Sequence, residues 1–179
     1  MSAKSSKDVT ANKTHIYECR IEDLDGSIRN LWMCLVQEMF EIEPITIPSE
    51  ANSRKWLDFL KEGLLKNRNI LLTAMIQEKI VGFASITLPR EMTFEVQDTF
   101  GIVSELYVLP EFRKKGIGQK LLEECLSRIK AEGFKRARIS VLSADKNAIK
   151  LYKKTGFSVF MRTMTKDLAR PDSPKSHKN

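Results

Sequence analysis

The sequence predicts an α/β protein of the α+β type, with a mixed central sheet and helices on both of its faces. Three observations lead to this prediction. The first half contains two stretches with apolar residues at spacings of three and four, which is typical of amphipathic helices. The middle contains two short apolar runs separated by a turn, which indicates a β-hairpin. In the second half, strand and helix patterns alternate, which favours a sheet covered by helices on both sides.

The first elements are a strand and two helices. An alternating stretch at 15–20 predicts the first strand. The first helix follows, and its apolar face is predicted to consist of Leu24, Ile28, Leu31, Trp32, Leu35 and Met39. Pro44 and Pro48 interrupt the pattern, and Ser49 is a suitable N-cap for a second helix that extends to residue 66.

The later elements form the predicted sheet and its covering helices. Residues 70–76 and 80–86 predict two antiparallel strands joined by a turn at 77–79, and a polar loop follows at 90–98. The remaining elements, in chain order, are a strand over 100–108, a helix over 115–132, a strand over 136–142, a helix over 145–154 and a terminal strand pair over 157–168.

Length and charge indicate one domain with two basic tails. The 179 residues fit a single domain, which we expect over 14–168, between disordered tails at 1–13 and 169–179. The formal net charge is +7, and more than half of this excess lies in the two ends. A nucleic-acid-binding domain concentrates basic charge on the folded body, so the sequence disfavours a nucleic-acid partner.

Several classes of protein and site are excluded by the residues that the chain lacks. No run approaches the length of a membrane span, and the N-terminus lacks an apolar signal segment. Cys19, Cys34 and Cys125 are odd in number and far apart, which indicates buried, reduced thiols in a cytoplasmic protein. His15 and His177 lie at the two ends, so we predict neither a histidine-based nucleophile nor a metal site.

The segment most suggestive of chemistry is a strand that leads into a basic, glycine-containing turn and then a helix at 103–119. The turn has the pattern R-x-x-G-x-G, from Arg113 to Gly118. The first amides of a helix have no acceptor within the helix and attract phosphate, and glycines let an anion approach the backbone. The P-loop and the dinucleotide G-x-G-x-x-G motifs are both absent. The segment therefore predicts a phosphate site of another type.

In this context the chain resembles the GNAT superfamily of acetyl-CoA-dependent N-acetyltransferases. The family's central motif is a strand, then [RQ]-x-x-G-x-[GA], then a helix. A second family pattern, N-x-x-x-x-Y-x-x-x-G-F, matches the stretch from Asn147 to Phe157. The resemblance covers about 15–168 and implies a mixed, mostly antiparallel sheet of six to seven strands with about four helices on both faces.

The resemblance implies a role for each motif residue. Backbone groups of Leu106, Tyr107 and Val108 would bind the pantetheine arm of acetyl-CoA, and one of their amides would polarise the thioester carbonyl. Asn147 would contact the pantetheine, and the Tyr152 hydroxyl would lie near the CoA sulfur. The pyrophosphate would be bound by Arg113, Lys114, Lys115, Gly116, Ile117, Gly118 and Gln119.

The chemistry of amine acetylation suggests two catalytic residues. Tyr152 has an ordinary pKa of about 10 and is suited to protonate the departing thiolate as a general acid. Glu105 is the carboxylate nearest to the strand motif, and we nominate it as the base or the amine anchor. Because strand side chains alternate, only one of Ser104 and Glu105 is expected to face the cleft. Glu41 and Glu43 are further candidates to attract a cationic amine, with a solvated loop as the alternative.

The leading hypothesis is a cytoplasmic N-acetyltransferase that transfers an acetyl group from acetyl-CoA directly to a primary amine, without a metal. The alternatives are a CoA-binding regulatory module of the same fold without turnover and a basic nucleic-acid-binding domain. A small molecule, a polyamine, and a protein N-terminus or lysine all remain open as acceptors. The oligomeric state also remains open, with a homodimer among the options.

Overall fold

A computed structural model of the chain describes residues 13–24, 26–89, 99–166 and 168. Apart from Lys13, the predicted tails lie outside these residues, and so does the predicted polar loop at 90–98.

The described residues form five strands and four helices around one sheet. The strands are β1 (His15–Glu18), β2 (Asn69–Ile76), β3 (Lys79–Thr87), β4 (Phe100–Val108) and β5 (Arg136–Ile139). The helices are α1 (Gly26–Ile42), α2 (Glu50–Leu65), α3 (Ile117–Ala131) and α4 (Lys146–Lys154). The strand order is β1-β2-β3-β4-β5, with antiparallel neighbours throughout except for the parallel pair β4 and β5. The predicted fold class is confirmed.

The sheet has a hydrophobic core on each face. On one face, Leu71, Phe83 and Tyr107 pack against buried residues of α1 and α2, including the stacked rings of Trp32 and Trp56. The other face packs against the buried side of α3 and against partly buried residues of α4. Helices therefore cover both faces, and the C-terminal half of β4 lies between the two helix layers.

Local signals in the sequence position several element boundaries. Ser49 caps α2, and its hydroxyl accepts a hydrogen bond from the Asn52 amide at 3.2 Å. The β2–β3 hairpin turns through Gln77 and Glu78, which both have positive φ, as a tight two-residue hairpin requires. None of the helices in the described ranges is long and apolar enough to cross a membrane.

The predicted terminal strand pair is wrong over the part of it that the structure describes. Residues 157–166 contain no strand, and the sheet ends at β5. Phe157 packs against the core, but Val159 and Phe160 are 69% and 67% exposed, so the apolar residues beyond Phe157 cover no core surface. Apolar alternation stabilises a strand only where one face is buried.

Candidate active site

The second half of β4 has an open edge. β4 pairs with β5 only from Phe100 to Val103, opposite Arg136–Ile139. β4 itself continues to Val108. Residues 104–108 therefore have no strand partner on the β5 side in the described part of the chain. An extended ligand can add to such an edge through main-chain hydrogen bonds.

Backbone direction decides which β4 residues face this edge. The Leu109 amide donates to the Val81 carbonyl of β3 at 2.9 Å. Backbone groups alternate in direction along an antiparallel strand, so the amide and carbonyl of Tyr107 also face β3. The groups of Leu106 and Val108 face the open edge. The geometry thus supports Leu106 and Val108 as predicted pantetheine contacts, whereas it directs the backbone groups of Tyr107 away from that edge.

A β-bulge precedes these residues. Opposite β3, Ser85 pairs with Glu105 and Ile86 pairs with Val103, so Ser104 is an extra residue. The hydroxyl of Ser104 lies 2.8 Å from that of Thr87, and the hydroxyl of Ser85 donates to Glu105. Ser85 and Thr87 are two residues apart and share a face of β3. Ser104 and Glu105 consequently lie on the same face, and the expected alternation between them is wrong because the bulge interrupts it.

Glu105 is a partly buried carboxylate in this region. Its Oε1 accepts a hydrogen bond from Trp56 Nε1 at 3.1 Å, and its Oε2 accepts one from the Ser85 hydroxyl. Burial raises the pKa of Glu105, and the two hydrogen bonds oppose part of that rise. A carboxylate with a raised pKa accepts a proton more readily than an exposed one, which suits a general base.

The turn before α3 presents a row of backbone amides. Lys114 has φ of 60° and Gly116 has φ of 80°, and α3 begins at Ile117. The first helical hydrogen bond joins the Lys120 amide to the Gly116 carbonyl. Among the described residues, the amides of 114–119 have no protein acceptor. Left-handed residues within such a turn make its amides converge into an anion-binding concavity, and the helix N-terminus adds positive potential.

Gly116 and Gly118 differ in whether their backbone conformation tolerates a side chain, so their alanine variants form a matched pair. Gly116→Ala is expected to destabilise the protein by about 1–2 kcal/mol and to weaken CoA binding, because a Cβ disfavours left-handed backbone. A Cβ at Gly118 would lie 3.5 Å from Leu151 Cδ2, an ordinary contact, so Gly118→Ala should retain both stability and binding. Urea unfolding and CoA titration measure the two effects. Equal losses in both variants would contradict this assignment.

The three basic side chains of the turn do not all point at these amides. Arg113 pairs with Glu38 on α1, and its Nε donates to the Val108 carbonyl at 2.8 Å. The Arg113 amide is bonded to the Pro110 carbonyl, so the predicted phosphate contact of Arg113 is not supported by the geometry. Lys115 donates to the Glu111 carbonyl at 3.1 Å, and Lys114 is exposed.

Tyr152 lies on α4, on the opposite face of the sheet from Glu105. It packs beside the core under α3, with its ring 6.1 Å from that of Phe157. The pKa of Tyr152 is raised to about 12, mainly by burial and to a smaller extent by the negative potential of Asp145 and Cys125. The hydroxyl therefore stays protonated at neutral pH and is available as a donor.

The start of α4 is fixed by Asp145, which caps the helix by accepting a hydrogen bond from the Ala148 amide at 2.9 Å. Asn147 is exposed in the first turn, so its side chain is accessible to a ligand. Lys154 at the other end donates to Gln119 Oε1 at 3.0 Å, which joins α4 to the first turn of α3. This last contact places the two motifs next to each other, at the end of α4 and the start of α3.

Three side chains that the sequence analysis did not select belong to this region. Glu38, Trp56 and Ser85 contact Arg113 or Glu105 across 20 to 75 positions of sequence. No local pattern marks them, since each lies within an ordinary helix or strand period. Glu41 and Glu43 are exposed near the end of α1. In the described part of the chain, no group of three or more acidic, cysteine or histidine side chains could hold a metal ion.

Comparison with known proteins decides the family. The profile of the acetyltransferase (GNAT) family matches residues 31–157, which is more than two thirds of the chain. The chain belongs to this family. The match confirms the resemblance seen in the sequence and makes the protein an N-acetyltransferase of the GNAT type.

The relatives of this GNAT protein include sequences and solved structures. A curated but uncharacterised N-acetyltransferase from Archaeoglobus fulgidus is 31% identical over 68% of this chain and 71% of its own length. An aminoglycoside acetyltransferase from an uncultured soil metagenomic sample, solved with trehalose, has a TM-score of 0.64 at 20% identity, covering 86% of this chain and 94% of its own. A predicted acetyltransferase from Clostridium acetobutylicum, solved with acetyl-CoA, has a TM-score of 0.66 at 16% identity, covering 88% and 97%. At these identities the two structures support the fold.

Proposed function

We propose that this GNAT protein transfers the acetyl group of acetyl-CoA directly to a primary amine. The observation that carries the proposal is the open edge of β4, with the amide row of 114–119 at its end and with Glu105 and Tyr152 on its two sides. The edge would bind the pantetheine through Leu106 and Val108, with Asn147 beside it. The amides of Lys114 to Gln119 would bind the pyrophosphate.

The same arrangement suggests how each step proceeds. The lone pair of the amine attacks the thioester carbon, and the negative charge on its oxygen is stabilised by the Val108 amide at the open edge. The carbon–sulfur bond then breaks, with its electron pair moving to sulfur, which accepts a hydrogen bond from Tyr152. The proton lost by the nitrogen passes to Glu105, directly or through water. No covalent enzyme intermediate is required.

A cationic primary amine is the acceptor class that the charges favour. Glu41 and Glu43 lie exposed near the end of α1, and Glu105 lies in the same half of the molecule, under α2. Opposite charge raises the local concentration of a cationic substrate. Polyamines, aminoglycosides, protein N-termini and lysine side chains all satisfy this requirement.

A thermal-shift comparison and an amine panel test the proposal. Acetyl-CoA and CoA should stabilise the protein, by about 2.7 kcal/mol at a hundredfold excess over Kd, whereas NAD should not. The panel then contains spermidine, sisomicin, a peptide with a free N-terminus and an N-blocked peptide with one lysine. Release of CoA thiol should accompany one class of acceptor, and mass spectrometry should find one added acetyl group on it.

The thiol of released CoA has to be distinguished from the protein's own thiols. Cys19 and Cys125 are buried as predicted, but the prediction is wrong for Cys34, which lies on an exposed position of α1. A Cys34→Ser variant therefore lowers the protein's own thiol signal.

Failure to bind acetyl-CoA would overturn the proposed function. Binding without turnover of any amine would instead favour the CoA-binding regulatory module. We also propose that the domain extends over 14–168 in a cytoplasmic protein.

A further inference from the structure

The carboxylate of Glu38 on α1 contacts one residue near the end of β4, Tyr107, and one residue in the turn after it, Arg113. Glu38 Oε1 accepts hydrogen bonds from the Tyr107 hydroxyl at 2.9 Å and from Arg113 Nη2 at 2.7 Å. Its Oε2 accepts from the same Nη2 at 2.8 Å. The Arg113 guanidinium also lies over the Tyr107 ring, 5.2 Å from its centroid. Glu38 therefore ties α1 to β4 and to the turn before α3.

Through Arg113, this contact reaches the last peptide unit of β4. The carbonyl of Val108 accepts a hydrogen bond from Arg113 Nε, and the amide of the same peptide unit, on Leu109, donates to Val81. The peptide plane is thus fixed from both sides. The preceding amide, on Val108, is the one that faces the open edge and that we assign to the thioester carbonyl.

Arginine is suited to this connection because its guanidinium donates in two directions from one rigid plane. Nε points to Val108 while Nη2 points to Glu38, so the position of the carboxylate sets the orientation of the donor to the strand. The Arg113 and Glu38 side chains are 40% and 39% exposed. Ion pairs of this exposure contribute little to stability in general, so removal of Glu38 should leave the fold intact.

We propose that Glu38 is a positioning residue for acetyl transfer: through Arg113 and Tyr107 it orients the end of β4 so that the Val108 amide meets the thioester carbonyl. The inference rests on the proposed function. The contacts of Glu38 are to the side chains of Tyr107 and Arg113, and it acts on the reaction through these two partners. Its loss should therefore change the environment of the bound carbonyl rather than the binding of CoA.

Isotope-edited infrared spectroscopy of bound acetyl-CoA, labelled with carbon-13 at the carbonyl, tests this inference without an acceptor amine. In the wild-type protein, a hydrogen bond from the amide should shift the carbonyl stretch to lower frequency than in solution. Glu38→Gln keeps the size of the side chain and an acceptor for Tyr107. We expect this variant to lose much of the infrared shift. In a separate turnover assay with an acceptor amine, its kcat should fall about tenfold or more, because small misplacements of reacting groups are costly. The Kd for CoA should stay within about twofold, since the amides of 114–119 are untouched.

The chain offers a matched control in a second ion pair. Arg128 and Glu18 also meet at 2.7 Å, with 40% and 47% exposure, away from the β4 end. Glu18→Gln should retain the wild-type infrared shift. Arg113→Lys should reproduce the loss seen for Glu38→Gln, and the double variant should be no worse than either single variant.

The possible results separate this inference from the proposed function. An unchanged carbonyl shift in Glu38→Gln would overturn the inference alone, as would a loss of shift accompanied by an equal loss of CoA affinity and thermal stability. A wild-type protein that binds no acetyl-CoA would overturn the proposed function and this inference together.

Discussion

Replacing Tyr152 with phenylalanine is expected to lower kcat by about 10²- to 10⁴-fold, the range typical of a lost general acid or its hydrogen bond. The family motif implies that this hydroxyl lies near the CoA sulfur, and its raised pKa of about 12 keeps it protonated at neutral pH. That value exceeds the pKa of about 8.5 typical of a cysteine thiol, so stabilisation of the thiolate by hydrogen bonding is favoured over complete proton transfer.

Steady-state kinetics and CoA titration together check the Tyr152→Phe prediction. The affinity for CoA should remain within about twofold of wild type, because the phosphate amides and the β4 edge are unaffected. Tyr17→Phe is the matched control, since Tyr17 is 51% exposed on β1 and lies away from β4. A Tyr152→Phe variant that turns over at the wild-type rate would remove Tyr152 from the mechanism.

Replacing Glu105 with glutamine is expected to lower kcat/KM for the amine by about 10²-fold or more, the effect of losing a general base. The wild-type rate should rise with pH as Glu105 loses its proton, at a pKa above the ordinary value of 4.5, and this rise should vanish in the variant. Glutamine can retain both contacts, because its carbonyl accepts from Trp56 and its amide can donate to Ser85.

The Glu105→Gln substitution is expected to lower activity without lowering thermal stability. Because the pKa of Glu105 is higher in the folded protein than in the unfolded chain, the folded state binds more protons across that interval. The stability contributed by the protonated form is therefore lost as pH rises from about 4.5 through the folded pKa. Above the folded pKa the ionised, partly buried carboxylate is a cost, and there Glu105→Gln should unfold at an equal or higher temperature than wild type.

Thermal unfolding beside the pH–rate profile distinguishes a base from a structural residue. Glu22→Gln is a suitable control, since Glu22 is an exposed carboxylate paired with Arg20. A Glu105→Gln variant that loses activity in proportion to its stability, or that keeps the wild-type pH profile, would contradict the assignment.

Local sequence patterns predicted much of this protein because their physical causes are local. Ser49 caps α2 with its own side chain, and a two-residue turn reverses the chain between β2 and β3. The turn from Arg113 to Gly118 needs only a strand before it and a helix after it to expose its amides. A pattern of this kind depends on neighbours in sequence, so it can be recognised without the rest of the fold.

The same patterns failed where the outcome depends on distant partners. Residues 157–166 have the apolar content of strands, but beyond Phe157 their apolar side chains are exposed, and they form no strand. Alternation predicted opposite faces for Ser104 and Glu105, whereas the bulge, visible only in the pairing with β3, places them on one face. Arg113 was expected at the phosphate, yet a carboxylate 75 positions earlier holds its side chain.

The sequence by itself therefore determined the family and the fold class, and it nominated a phosphate-binding turn and two catalytic side chains, because each of these depends on a contiguous motif or on residue chemistry. Only the tertiary structure decided which backbone groups of β4 face its open edge, what holds Glu105, and that Glu38 is connected to the end of the strand. These features arise where segments far apart in the chain pack together, and neither the spacing nor the composition of any one segment encodes such a meeting.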